Sequence, residues 1–295
     1  MDYLSQQLLN GLSIGSVYAL FALGFTLIFG VLGVINLSQG AVFTVGAYAA
    51  LVAITQFALP LWAGVIVACI ASGLLGLVID VLVLKRLRAR NAPHLIPMVA
   101  TIGVGIVVTN LMQGHFGAAN LRFPYGTVSD KSLDLAGLHL TALEAGIIVV
   151  SFVLMAGLLL LIRRTQIGRA LRAVAESPKA AHLLGINVER MFMLTSFTAA
   201  ALGGFAGVMI GLYSNAVYPL MGQPMLHKGI AVIILGGMGD IRGALIGGLF
   251  LGFAEVLSVA YIGSSTRDAV AFGLLFLILL VRPRGLFGTV AERKV

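Results

Sequence analysis

The chain has 295 residues, of which 59% are hydrophobic and only 10% are charged, and its mean hydropathy is +1.05. A soluble globular domain carries about 25% charged residues, so this composition excludes that class and indicates an integral membrane protein. Apolar runs of about 20 residues predict helical spans, not the alternating segments of about 10 residues in outer-membrane barrels. The net charge of +8 does not indicate nucleic acid, because nearly all basic residues stand at the ends of apolar runs.

The apolar residues form nine segments, which we interpret as membrane helices, some of them short or broken. No basic residues or convincing cleavage site accompany the first segment, so we expect it to be retained and not removed as a signal peptide. We therefore predict an all-α polytopic membrane protein, a single domain over 1–295 with about eight to nine transmembrane segments. The segments lie at about 7–30, 40–58, 61–84, 95–113, 142–163, 191–213, 229–239, 243–262 and 267–281.

The basic residues are distributed unevenly between alternate loops. Fifteen of the 19 lysines and arginines fall at 85–90, at 163–190, at Arg242 and at the C-terminus. The positive-inside rule assigns these loops to the cytoplasm. Alternation then places the N-terminus outside, provided that 7–30 and 40–58 both cross. We assign the remaining four basic residues to loops on the opposite side: Arg122, Lys131, Lys228 and Arg267.

Two interruptions rich in glycine and polar residues break the apolar pattern, VLGVINLSQG at 31–40 and SNAVYPLMGQPMLHKG at 214–229. At about 1.5 Å per residue, segment 229–239 is too short to span about 30 Å, so the stretch before it is expected to enter the membrane as broken backbone. The break at 31–40 corresponds to LGGMGDIRGALIGG at 235–248 in the second half. Such corresponding breaks indicate a transporter's central site; a coincidental pair of glycine-rich turns is the alternative. The candidate pathway residues are Asn36, Ser38, Gln39, Gly40, Tyr218, Pro219, Pro224 and Glu255.

Acidic residues within apolar segments need a partner or water. Asp80 lies near the cytoplasmic end of its segment and is expected to pair with Lys85 or Arg86. Glu255 lies deeper, where it either pairs with a basic residue or faces a wet cavity. Its candidate partners are Arg267 and Lys228.

Residues 163–190 form the longest run that a bilayer cannot accommodate, and local patterns divide it into two short helices at about 167–186. Ser177 is a suitable N-cap, Pro178 suits the first helical position, and Gly185 suits a left-handed C-cap. We interpret the run as a surface helix-turn-helix shaped to contact another protein. The alternative is a basic loop that only fixes the orientation of the chain in the membrane. The apolar face of the first helix is predicted from helical spacing as Ile167, Ala170, Leu171, Val174 and Ala175.

The outer loop at about 114–141 is predicted to contain a turn at 123–126 and a small hairpin over 133–140, where apolar residues alternate. It either receives an external partner or caps the bundle. Glycines spaced four residues apart predict close helix packing in lipid. These are Gly11 and Gly15, Gly203, Gly207 and Gly211, Gly239, Gly243 and Gly247, and Gly248 and Gly252.

The chain is poor in catalytic patterns. It has one cysteine, Cys69, and its five histidines show no metal-ligand spacing. No Gly-Lys dipeptide occurs, so a P-loop is excluded, and no G-x-S-x-G elbow is present. We therefore expect no catalytic residue, metal site or bound cofactor on this chain.

Four stretches together resemble the LivH-type permease subunits of bacterial branched-chain amino acid ABC importers. They lie at 11–40, 167–187, 231–257 and 280–288, in the order typical of that family. In addition, KAAHLLG at 179–185 is similar to the EAA-x-x-x-G loop through which ABC permeases contact their ATPases. Lysine stands where that motif has glutamate, and the trailing hydrophobic-proline element is missing.

The resemblance implies an ABC importer permease fold in the bacterial inner membrane. Its implied partners are a LivM-like second permease, two ATPase subunits at the cytoplasmic face that hold ATP and magnesium, and a periplasmic substrate-binding protein. The implied function is passage of branched-chain or related hydrophobic amino acids. The alternatives are a permease of the same type for urea or amides, an ion-coupled secondary transporter or channel that uses Glu255, and a purely structural subunit. The implied ATPase-coupling residues are Arg169, Arg172, Glu176, Pro178, Lys179, Ala180, Ala181 and Gly185.

Overall fold

The computed structural model describes residues 2–93, 95–127, 132–135, 138–282 and 285–287. Twelve α-helices and one β-hairpin make up most of this part of the chain. In chain order, the first elements are α1 (Asp2–Leu32), α2 (Gln39–Thr55), α3 (Leu61–Ile79), a π-turn (Asp80–Leu84), α4 (Lys85–Ala89), α5 (Leu95–Phe116), β1 (Ser132–Leu135) and β2 (Leu138–Thr141). They are followed by α6 (Ala142–Arg164), α7 (Gln166–Glu176), α8 (Pro178–Leu183), α9 (Val188–Ser214), α10 (Gly222–Gly236), α11 (Ile241–Tyr261) and α12 (Arg267–Val281).

Nine helices match the nine predicted segments, and seven helical stretches are long and apolar enough to cross a membrane. The fold is therefore all-α and polytopic, as predicted. One boundary is wrong. The stretch before segment 229–239 was expected to be irregular throughout, but α10 already begins at Gly222, so the non-helical part is only 215–221.

Helix α1 lies at the centre of the bundle. Its middle turns are almost completely buried, with Leu20, Phe21 and Phe25 among the largest enclosed side chains. It packs against α6, α9, α10 and α11, and these neighbours shield it from lipid. Helices α5 and α12, by contrast, expose most of their apolar side chains and lie at the periphery.

The predicted cytoplasmic basic loops converge at one end of the bundle, which we call the basic end. There, the backbone N–H groups of Leu286 and Phe287 donate to the carbonyls of Leu235 and Gly236, so α10 and α12 finish side by side. The first turn of α1 lies at the opposite end, where the Tyr3 hydroxyl approaches the Ala260 carbonyl at 3.3 Å. The N-terminus and the basic loops thus lie at opposite ends, as alternation requires.

Both predicted interruptions separate helices. Helix α1 ends at Leu32, and the non-helical residues 33–38 return the chain into the bundle, so that α2 begins beside the middle of α9. The Gln39 side chain marks this depth, because its Nε2 donates to the Ala199 carbonyl at 2.8 Å. The second interruption follows the left-handed Asn215 that ends α9.

Glycines bring several helix backbones into direct contact, which confirms most of the predicted packing positions. A Cβ on Gly207 would overlap the carbonyl of Phe43, and one on Gly248 would overlap the backbone of Ala19. Gly252 packs in the same way on Gly15. Gly239 is the exception: it lies in the turn between α10 and α11 with φ +89°, so its inclusion in a helical series was wrong.

The predicted partner of Asp80 was also wrong. Arg88 Nη1 lies 2.8 Å from Asp80 Oδ1, whereas Lys85 lies 3.8 Å from Glu189. Two residues eight apart are rotated by roughly 80° in a regular α-helix. The π-turn between Asp80 and Arg88 contains more residues per turn and brings the two onto one face.

The outer loop contains the predicted turn and hairpin where it is described. Thr127 N donates to Pro124 O, so the turn spans 124–127, one residue later than predicted. Strands β1 and β2 pair antiparallel, with Leu135 opposite Leu138, and the two residues between them lie outside the described part of the chain.

Gly252→Ala is expected to destabilise the protein by about 1–3 kcal/mol, because the new methyl group would overlap the backbone of Gly15. Gly157→Ala in α6 is the matched control, since nothing lies within 4 Å of the position that its Cβ would take. Alanine has the higher helix propensity, so the control is expected to be neutral or slightly stabilising. Thermal unfolding of the purified variants measures both, and equal midpoints would contradict the packing role of Gly252.

Candidate functional site

A cavity of about 620 Å³ opens on the side of the bundle between α2, α5 and α10. The first turns of α2 and α10 meet in its wall, where Gly40 and Gly222 touch backbone to backbone. A side chain on either glycine would push these two helix starts apart. Most of the remaining lining is aliphatic, including Leu37, Ile102, Ile106, Leu226 and Ile230.

Polar side chains are interspersed in this aliphatic wall. Helix α5 contributes Thr109, Asn110 and Gln113, and α10 contributes Gln223 and His227. No aspartate, glutamate, lysine or arginine is among the described lining residues. An apolar concave surface with a few polar groups is typical of a binding site for a small molecule that has both an apolar and a polar part.

Of the predicted pathway residues, Gly40 and Pro219 line this cavity. The side chains of Asn36, Ser38 and Gln39 are buried behind it. Asn36 Oδ1 accepts from both the backbone N–H and the hydroxyl of Ser38, which locks the turn that starts α2.

Tyr218 and Pro224 do not belong to the lining of this cavity. Tyr218 is half-buried against the main core, next to the start of α10. Pro224 lines a separate cavity of about 170 Å³ between α10 and α12, together with Lys228 and Asp268.

Glu255 is the centre of a buried ionic cluster. Its Oε1 lies 2.7 Å from Lys228 Nζ and 2.9 Å from Arg267 Nε, so both predicted partners are confirmed. Lys228 also donates to the Tyr18 hydroxyl at 2.9 Å. The cluster joins α1, α10, α11 and α12. Lys228 therefore lies buried inside α10, and its assignment to an outer loop was wrong.

Helices α7 and α8 form a platform at the basic end. Thr165 caps α7 by accepting from Gly168 N, and Ser177 caps α8 by accepting from Ala180 N. Gly185 ends the platform with φ +81°, the left-handed conformation that was predicted.

The inner face of the platform is made by Leu171, Val174 and Ala181, which are buried. Ile167 and Ala175 were assigned to this face but are exposed. The outer face carries two solvent-exposed leucines, Leu183 and Leu184, which are 87% and 79% exposed. The predicted coupling residues on the exposed surface are Arg169, Arg172, Glu176, Pro178, Lys179, Ala180 and Gly185.

A third cavity, of about 600 Å³, lies at the opposite end of the bundle. Residues 123–127 form one wall, and the start of α6 with the end of α9 forms the other. Glu144, in this wall, closes a capping box with Thr141.

The sequence did not reveal that α5 supplies polar residues to the central cavity. Thr109, Asn110 and Gln113 occur at helical spacing within an otherwise apolar segment. This spacing predicts a polar face on α5, but it does not show which neighbouring helix that face meets. No group of three or more metal-binding side chains occurs within the described part of the chain.

The comparisons with known proteins agree with this architecture. A family model described as "Branched-chain amino acid transport system / permease component" matches residues 7–279. The permease protein LivH of Salmonella typhimurium is 36% identical, with 99% of this chain and 98% of LivH covered. BraD of Pseudomonas aeruginosa is 36% identical, with coverages of 98% and 97%. LivM of Salmonella typhimurium is 25% identical, with coverages of 92% and 67%. LivH and BraD are high-affinity branched-chain amino acid transport system permease proteins.

Glu255→Gln is expected to lower the free energy of unfolding by about 3–5 kcal/mol, because it leaves Lys228 buried without a counter-charge. The double variant Glu255→Gln/Lys228→Met removes both charges and is expected to recover much of the loss. Thermal unfolding of the detergent-purified protein measures the two midpoints. If the single variant melts with the wild type, the cluster does not stabilise the bundle.

Proposed function

Because the chain belongs to the permease-component family of branched-chain amino acid transport systems, we propose that it forms one side of the substrate pathway of an ATP-driven importer for branched-chain amino acids. The observation that carries this proposal is the cavity between α2, α5 and α10, with its aliphatic wall and uncharged polar groups. A branched-chain amino acid presents an aliphatic side chain to such a wall. Its ammonium and carboxylate groups need polar partners, which the amide and hydroxyl side chains offer.

The cavity is open on one side, so a second subunit is needed to close it. Helix α5 exposes apolar side chains beyond the cavity rim, including Val99, Val107 and Leu111. We propose that a LivM-like permease packs here and completes the pathway. The similarity of this chain to LivM supports a related fold for the two partners.

The platform of α7 and α8 suits the role of ATPase contact. Its inner face is packed against α9 and the basic end of the bundle, so a force on the platform reaches the transmembrane helices. Its outer face offers Leu183 and Leu184 among exposed polar and basic side chains. We propose that two separate ATPase subunits, which hold ATP and magnesium, dock on this face and on its counterpart in the second permease.

The cavity at the opposite end is the proposed contact for a periplasmic substrate-binding protein, and the inner membrane of a bacterium is the proposed location. In this scheme the chain is a non-catalytic subunit. An ion-coupled secondary transporter is not favoured, because Glu255 is occupied by Lys228 and Arg267 and the relatives are permease components.

The function is tested by co-expression with the candidate partner subunits and reconstitution into proteoliposomes. Uptake of radiolabelled leucine is expected to require ATP, both ATPase subunits and the loaded binding protein. Uptake without ATPases that follows an ion gradient would support a secondary transporter. Urea or acetamide uptake in place of leucine would assign the same permease type to another substrate.

Ile106→Trp is expected to reduce leucine uptake at least tenfold, because the indole ring would fill the central cavity. Val153→Trp in α6 is the matched control: Val153 is 63% exposed and Ile106 is 57% exposed, but Val153 lies outside both the cavity and the proposed contact on α5. Uptake is compared at equal levels of assembled complex. Equal effects of the two substitutions would place the pathway elsewhere.

Gly185→Val is expected to uncouple ATP hydrolysis from uptake, because a β-branched residue is strained at φ +81° and would displace the end of the platform. The matched control is Gly185→Asn, since asparagine tolerates the left-handed region. Binding-protein-stimulated ATPase activity and uptake are measured on the same proteoliposomes. Wild-type coupling in Gly185→Val would remove this turn from the coupling mechanism.

A further inference from the structure

A groove runs into the bundle at the basic end, between α6 and α11, with α1 as its floor. Two adjoining cavities of about 110 Å³ and 380 Å³ form it. They share lining residues from α6, α7 and the start of α11, among them Ile162, Arg172 and Ile241. The groove is therefore continuous from its inner part to its mouth.

Three arginines from three different elements surround the mouth. Arg163 comes from the last turn of α6, Arg172 from α7, and Arg242 from the first turn of α11. None of them has an ion-pair partner among the described residues. Asp240 also lines the mouth, but its Oδ1 already accepts the backbone N–H of Gly243 at 2.8 Å. The mouth thus has an excess of positive charge on planar donors that match phosphate oxygens.

The inner part of the groove has a different chemistry. Leu27, Val31 and Leu171 make most of its wall apolar. Thr26 also lines it, and the Thr26 hydroxyl is buried with no hydrogen-bond partner among the described residues. Because buried hydroxyls in proteins are normally hydrogen-bonded, this one is free to donate to an acceptor oxygen of a molecule bound in the groove.

We propose that this groove binds an anionic phospholipid. The phosphate lies between Arg163, Arg172 and Arg242, a glycerol ester oxygen accepts from Thr26, and acyl chains follow the apolar sides of α6 and α11. A soluble phosphate would satisfy the arginines but leave the apolar wall and the threonine without a partner. Basic pockets between helices on the cytoplasmic side are suited to phospholipid head groups.

The position of the groove gives the lipid a role. Arg172 belongs to α7, the first helix of the proposed coupling platform, whereas Arg163 and Arg242 belong to transmembrane helices. A phosphate held by all three ties the platform to α6 and α11. Arg172, which is also a predicted ATPase-coupling residue, lines this groove.

The test is native mass spectrometry of the full chain, purified with the subunits that accompany it. Phosphatidylglycerol and cardiolipin are titrated against phosphatidylethanolamine. Anionic lipid is expected to bind more tightly, and Arg163→Gln/Arg242→Gln is expected to weaken its binding about 25-fold, since each basic group near the membrane surface contributes about fivefold. Arg164→Gln is the matched control, because Arg164 is exposed on the same turn but does not line the groove.

Two further variants distinguish the contributions of the arginine charges and of the Thr26 hydroxyl from a general loss of folded protein. Arg163→Lys/Arg242→Lys keeps the charge and is expected to retain most of the binding, while Thr26→Val is expected to weaken it several-fold. Wild-type affinity in the glutamine double variant, or equal loss in Arg164→Gln, would overturn the proposal. So would displacement of the lipid by millimolar inorganic phosphate, or lipid binding only when ATPase subunits are absent. The measurement does not involve transport, so its failure would leave the proposed import function standing.

Discussion

Backbone contact through glycine is the interaction on which this bundle depends. In lipid there is no hydrophobic drive between helices, so packing and polar contacts must hold them together. Helix α1 meets α11 at Gly15 and Gly252, and α2 meets α9 at Gly46 and Gly204, in each case without an intervening side chain. These contacts enclose α1 and allow the helix starts at Gly40 and Gly222 to touch beside the central cavity.

Buried polar groups supply the second constraint, because a bilayer offers no water to satisfy them. The structure uses them where the helices are interrupted or cross. Asn36 and Ser38 close the turn before α2, and Gln39 fastens that turn to α9. The ionic cluster around Glu255 joins four helices at the middle of α10. Polar contacts thus fix both helices whose starts form the cavity wall.

The two ends of the molecule differ in their secondary structure and in their charge. The basic end combines a capped two-helix platform, which is the proposed ATPase contact, with a groove rich in arginine, which is the proposed phosphate site. The other end carries a hairpin, a turn and an open cavity with few positive charges. An importer needs this asymmetry, because energy and substrate reach it from opposite sides.

The sequence alone predicted the approximate bounds of the apolar helices, because each is a local apolar run. It also determined the platform, since Ser177, Pro178 and Gly185 act on their own helix ends. The packing of the bundle established which partner each charge takes: Arg88 for Asp80, and a buried Lys228 for Glu255. It also separated the pathway candidates into those that line the cavity, such as Gly40, and those buried behind it, such as Gln39. Helical periodicity shows that a face exists but not which neighbour it meets, because that depends on packing between residues distant in the chain.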